Sequence, residues 1–209
     1  GRVMIDIQNQ EDTRDIPLQK VGVKGLRYPV QVLDKQKKRQ TTTATADLFV
    51  NLPHHFKGTH MSRFIEIFHA YHSDLTMKKF LAMLEDIRSK LDAERAFGTL
   101  SFPFFLEKAA PVSAQSGMMA YDCSYEGLVS KESHEFFVSI AVPVTTLCPC
   151  SKAISAQGAH NQRGIVRVKL RNTGLFWIED VITMIESCAS CGVYSLLKRE
   201  DEKYVTELA

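Results

Sequence analysis

The chemistry of this chain is concentrated in PVTTLCPCS at 143–151 and in GAHNQRG at 158–164. An apolar, β-branched strand ends on two thiols, Cys148 and Cys150, and a Gly-flanked loop then returns the imidazole of His160. Pro149, between the thiols, cannot donate to a strand ladder, so an ordinary buried strand does not account for the pair. A thiolate and a neutral imidazole are both good donors to a borderline ion such as zinc, and metal binding deprotonates the thiol. Cys148 and His160 are therefore the candidate metal-ligating and catalytic residues. A third donor can come from the acidic segment LLKREDEKYVTE at 196–207, with Glu202 first and Asp201 and Glu207 as rivals. A mixed Cys, His and carboxylate set favours a catalytic ion with an open position for water over a structural one.

Other residues compete for the same attention. Cys188 and Cys191 in CASC, joined to Cys148 and Cys150, would make a four-thiol zinc site in a non-enzymatic binding module. Packing explains Cys188 and Cys191 without metal: Cys188 is expected on the inner face of a helix near its end, with Gly192 as the C-cap. Cys123, alone on a strand, is expected in the core. Glu66 and His69 have the spacing of half a di-iron carboxylate site, but the chain holds no second such pair. His54 and His55 fall in a solvated loop, and His134 in a turn. In GTHMSRF, His60, Ser62 and Arg63 surround a predicted helix start, where backbone N–H groups and a guanidinium could hold phosphate oxygens. A plain helix cap by Ser62 or Thr59 is the simpler account.

The elements that must position these groups read as an α+β chain. Residues 1–17 are polar and without clear periodicity, and are expected as a flexible N-terminal arm. Residues 18–33 and 41–50 form an antiparallel pair around the basic tip DKQKKR, with Gly22 and Gly25 marking a bulge. A helix over about 62–72 follows, then one capped by Thr76 with Met77, Phe80, Leu81, Leu84, Ile87 and Leu91 as its apolar stripe. Strands are expected over 98–106, 118–129, 135–147 and 164–170. A last helix over about 177–188 buries Val181, Ile182 and Ile185 and carries Glu179 and Asp180 in its first turn. The order ββααββ is completed once, over 18–130, and begins again over 131–209, where the second copy stops before its C-terminal part. Such an order places helices on one face of an antiparallel sheet.

Composition excludes several classes. At 209 residues the chain can bury a sizeable core, and its five cysteines are an odd number in an ordinary composition rather than a disulfide framework. That cysteine usage, with no signal peptide, points to a reducing cytoplasm. No apolar run reaches the length of a membrane span. A net charge of +2 is too small to imply nucleic acid, and the basic cluster at 35–39 reads as a solvated hairpin tip.

The strings KGTHMSRF at 57–64, PVTTLCPCSKAIS at 143–155, GAHNQRG at 158–164 and LLKREDEKYVTE at 196–207 resemble the type IB GTP cyclohydrolases. The resemblance spans about 21–207 and implies a tunnelling fold, tandem ββααββ units assembled as a homotetramer. It implies hydrolysis of GTP to 7,8-dihydroneopterin triphosphate and formate, with zinc, or manganese or iron, on Cys148, His160 and Glu202. It also strengthens His60, Ser62 and Arg63 as substrate-binding residues. A further histidine and the guanine-anchoring glutamate of the family belong to a C-terminal motif, NxESIHxH, that does not occur in these 209 residues. The alternative within the same fold is a purine or pterin enzyme in which Cys148 attacks as a thiolate without metal.

Overall fold

The structure, a computed structural model, describes residues 2–11, 17–53, 61–147, 161–171, 174–189 and 191–192. In chain order the elements are β1 (Arg2–Glu11), β2 (Pro17–Asp34), β3 (Lys38–Pro53), α1 (Met61–Tyr71), α2 (Met77–Lys90), β4 (Arg95–Ala109), β5 (Ser116–Ser130), β6 (His134–Leu147), β7 (Asn161–Arg171), α3 (Ile178–Cys188) and the short β8 (Cys191–Gly192). The class is α+β. The strands follow one another in a single sheet in the order β1 to β7, and β8 pairs with β6. The β1·β2, β2·β3, β3·β4 and β6·β8 pairs are antiparallel. Residues 2–11, expected as part of a flexible arm, form β1 against β2.

The β2–β3 hairpin closes as the polar tip requires. Asp34 is buried, and its Oδ1 accepts from the backbone N–H groups of Gln36 (2.9 Å) and Lys37 (3.0 Å). Its Oδ2 accepts from Gln40 Nε2 at 3.0 Å, so the buried carboxylate is satisfied within the turn it makes. The ladder slips between Val23 and Leu26, where Gly25 adopts φ +70° and its N–H donates to Asp47 Oδ1 at 2.7 Å.

By contact density the chain divides into two compact units. The first comprises Gly1–Phe102, Ser124–Ser139 and Lys169–Leu175; the second comprises Pro103–Cys123, Ile140–Val168 and Phe176–Ala209. In the first, alternate residues of β3 and β4 are buried, among them Ala44, Ala46, Leu48, Ala96 and Leu100, as expected of strands with one covered face. The helices supply the cover. Phe64, Ile67 and Phe68 of α1 and Phe80, Met83, Leu84 and Ile87 of α2 are buried, and Thr76 caps α2 by accepting from the Lys79 N–H at 3.1 Å. Leu81 and Met77, expected in the stripe, are only half-buried, and Met83 takes the deeper place. Phe80 meets Tyr125 and Phe136 edge-on, and the latter two are tilted against each other, with centroids 5.1–6.0 Å apart across the cluster.

The second unit buries Phe104, Tyr121, Cys123, Ile140, Val142 and Val144 from its strands. From α3 it buries Val181, Ile182 and Ile185, as the stripe predicts. Lys108 of β4 and Glu186 of α3 form an ion pair, with side chains only 13% and 15% exposed, and Tyr121 Oη donates to the same carboxylate at 3.4 Å. No helix among the described residues is long and apolar enough to cross a membrane.

Candidate functional site

Two of the candidate donors adjoin strand ends in the sequence. Cys148 follows directly on Leu147, the last residue of β6, and His160 directly precedes Asn161, the first of β7. β6 and β7 are neighbours in the sheet, so thiol and imidazole flank one strand-to-strand connection. β6 is anchored close to that point by Val142 and Val144, both buried. Cys148, Cys150, His160, Glu202 and His60 lie outside the described residues, as do Asp201, Glu207, His54, His55 and Thr59. Among the described residues no group of three metal-ligating side chains occurs.

The remaining cysteines separate clearly. Cys123 is in the core as expected, and burial pushes its thiol far above the ordinary cysteine range, with the charges of Asp122 and Glu179 adding to the effect. Cys188 corrects the sequence reading: it is exposed rather than on the inner face, because the buried stripe of α3 stops at Ile185. Gly192 is not a C-cap either. The helix is closed at Ala189, and Cys191 and Gly192 pair with Thr145 and Val144 of β6 as β8.

Ser62 and Arg63 stand in the first turn of α1, so Ser62 is a helical residue rather than the one that precedes the helix. Both are exposed. Arg63 Nη1 donates to the Lys90 carbonyl at 3.3 Å, and the residue lines a groove of about 390 Å³ between α1 and α2 with Glu66, Tyr71, Asp86 and Lys90. At the far end of that groove Tyr71 Oη donates to Asp86 Oδ2. Burial, followed by this hydrogen bond and the carboxylate charge, pushes the phenol up to about 12. The groove thus offers two cations at one end and a neutral phenol bound to a carboxylate at the other. His69 makes no metal pair: its Nδ1 meets Tyr28 Oη, and its ring stacks on His72 with centroids 4.5 Å apart. His134 starts β6, with Nε2 3.8 Å from Glu85.

Sequence reasoning missed the basic face of β7. Arg163, Arg167, Lys169 and Arg171 are all exposed and share one side of the strand, since side chains two apart face the same way. The alternation in IVRVKL was the signal available for it.

The class these features define is an α+β protein with one antiparallel-paired sheet and, among the described residues, three helices, in which Cys148 and His160 bound the β6–β7 connection in the sequence. The model of the family described as type I GTP cyclohydrolase folE2 matches residues 4–209. A protein of Syntrophus aciditrophicus named GTP cyclohydrolase FolE2 is 54% identical over 204 residues, covering 98% of this chain and 80% of that protein. One of the same name in Geobacter sulfurreducens is 50% identical over 206 residues, 99% of this chain and 80% of its own length. The chain belongs to the folE2 family of type I GTP cyclohydrolases.

Proposed function

We propose that this chain hydrolyses GTP to 7,8-dihydroneopterin triphosphate and formate, the first step of pterin and folate synthesis, as an enzyme of type IB. The observation that carries the reading is the folE2 match over residues 4–209, with relatives of 50–54% identity named GTP cyclohydrolase. Cys148, His160 and Glu202 are read as the ligands of a divalent ion, zinc first, with manganese and iron as alternatives. One thiolate, one imidazole and one carboxylate suit such an ion and leave a position open. When bound, the ion would bring the pKa of water to about 7 and so supply the nucleophile that the weakly electrophilic carbon 8 of guanine needs.

The chain's own residues do the rest. Cys148 and His160 adjoin β6 and β7 in the sequence, and a donor next to a regular element is more precisely positioned than one in a long free loop. Sugar rearrangement and ring closure require proton transfers, which a histidine not bound to the ion, or the Cys148 thiol once released from it, could assist. His60, Ser62 and Arg63 are read as substrate-binding, with the exposed Arg63 guanidinium available to phosphate oxygens. The order β2, β3, α1, α2, β4, β5 followed by β6, β7, α3, β8 supports a tunnelling fold of two ββααββ units, 18–130 and 131–209. A cytoplasmic homotetramer completes the reading.

One observation favours a second account. The backbone of Cys191 opposes Thr145, three residues before Cys148, which suits a structural ion on Cys148, Cys150, Cys188 and Cys191. Elemental analysis after dialysis separates the two. Cys148→Ala and His160→Ala should each lower metal occupancy, by more than the roughly 10 to 100-fold in affinity that loss of a supporting group costs. Cys188→Ala should leave it unchanged. Loss of metal in Cys188→Ala with retention in His160→Ala would establish the four-thiol site instead.

A further inference from the structure

We propose that Arg163 and Arg167, on one face of β7, hold the triphosphate of the nucleotide substrate. The inference rests on the reading of the chain as a GTP cyclohydrolase and assigns the anion-binding side of that same site. Both side chains are exposed, and neither meets a carboxylate among the described residues. Farther along the same face of the strand the basic residues are neutralised. Lys169 Nζ lies 2.8 Å from Glu126 Oε2, and Arg171 Nη2 lies 3.3 Å from Glu135 Oε1. The stretch nearest His160 is therefore the part of β7 whose positive charge is left without a protein counter-ion among the described residues.

Position supports the assignment. Arg163 is three residues from His160, so covalent geometry alone keeps their Cα atoms within about 11 Å of one another. Arg167 lies four residues farther, about 13 Å along the strand, and the two long side chains can converge on a polyanion between them. A guanidinium presents a fork of N–H donors that matches phosphate oxygens, which makes arginine better suited than lysine to this task. Between the two arginines on the same face sits Ile165, 59% exposed, an apolar surface of the kind that can receive the carbon face of a ribose.

The competing account is that charges on β7, the last strand of the sheet path, simply guard it against pairing with other chains. Such protection requires charge of either sign, whereas triphosphate binding requires positive guanidinium groups.

The test is steady-state kinetics of the metal-loaded enzyme with GTP, together with competition by inorganic tripolyphosphate. Arg163→Gln and Arg167→Gln should each raise KM for GTP by about tenfold to a hundredfold, the scale of a lost charge-assisted hydrogen bond, with a much smaller change in kcat. Tripolyphosphate should inhibit the wild type competitively and lose potency in both variants by a similar factor. Arg167→Glu should be worse than Arg167→Gln, and Arg167→Lys should recover part of the loss. Arg171→Gln, the same charge change at a residue already paired with Glu135, should stay within about twofold of wild type. An active wild type with unchanged KM and tripolyphosphate inhibition in the Arg163 and Arg167 variants would overturn the inference. If the wild type did not turn over GTP, the activity reading would fall, and direct calorimetric binding of tripolyphosphate to the same variants would still decide the anion site.

Discussion

Two glycines three residues apart in β2 are required for different reasons, and substituting them separately measures each reason. A β-carbon at Gly22 would lie 1.9 Å from the carbonyl oxygen of Leu48 and 2.7 Å from Cα of Phe49, the residue with which Gly22 pairs. Both are backbone atoms of the neighbouring strand and cannot rotate away, so the β2–β3 ladder itself must move. Gly25 has no atom within 4 Å of where a β-carbon would stand, but its φ is +70°. Alanine there meets only the left-handed penalty of about 1–2 kcal/mol, and asparagine tolerates that region better. For Gly22→Ala the cost should reach at least the upper end of overpacking losses, about 3 kcal/mol. At about 2–4 °C per kcal/mol for a chain of this size, calorimetry should show Tm lower by about 2–8 °C for Gly25→Ala and by at least about 6 °C for Gly22→Ala. Gly25→Asn should fall between Gly25→Ala and the wild type. A Gly22→Ala protein as stable as the wild type, or Gly25→Asn no better than Gly25→Ala, would refute the reasoning.

Two further outcomes follow from the charged and thiol groups. Arg88 is buried and donates to Glu85 Oε2 at 3.0 Å and Oε1 at 2.5 Å and to the Ala93 carbonyl at 3.2 Å, so Glu85→Gln should cost about 1 kcal/mol near neutrality after allowance for the partial exposure of Glu85. The Arg88 hydrogen bond holds the Glu85 carboxyl below its ordinary value of 4.5; its stabilisation is therefore present above that value and lost as pH falls through the lower folded one, so urea titrations of wild type and variant should converge in acid. In native protein an alkylating reagent should modify Cys188 and spare the buried Cys123, as peptide mass spectrometry would show, and equal labelling of the two would contradict the packing of the second unit.

Much of the fold was legible because local chemistry and periodicity agreed. Thr76 capped its helix, the polar residues after Asp34 made a hairpin tip, and the stripes of α2 and α3 faced inward along most of their length. The failures have physical causes. Residues 2–11 pair with β2 through their backbone, and the alternation of Val3, Ile5 and Ile7 with Met4, Asp6 and Gln8, short and followed by the polar run at 8–12, was the signal passed over. An arginine is ordinarily exposed, and the burial of Arg88 depends on Glu85 and the Ala93 carbonyl meeting it together. The Lys108–Glu186 pair joins positions 78 residues apart, a relation that no local pattern encodes. Cys188 keeps the spacing of the apolar stripe but sits past its covered end. For the site, unusual strings of residues around Cys148 and His160 were readable at once, whereas the absence of a carboxylate partner for Arg163 and Arg167 among the described residues became visible only against the paired Lys169 and Arg171.

The central claim is that carbon 8 of the guanine leaves as formate in a metal-dependent hydrolysis. GTP labelled with carbon-13 at that position, incubated with the metal-loaded enzyme and followed by NMR, measures it directly. The account predicts labelled formate appearing in step with a pterin that fluoresces after oxidation, stopped by a chelator and restored by added zinc, manganese or iron. Label remaining in the purine with each of the three ions supplied, or formate released at an undiminished rate in excess chelator, would contradict it.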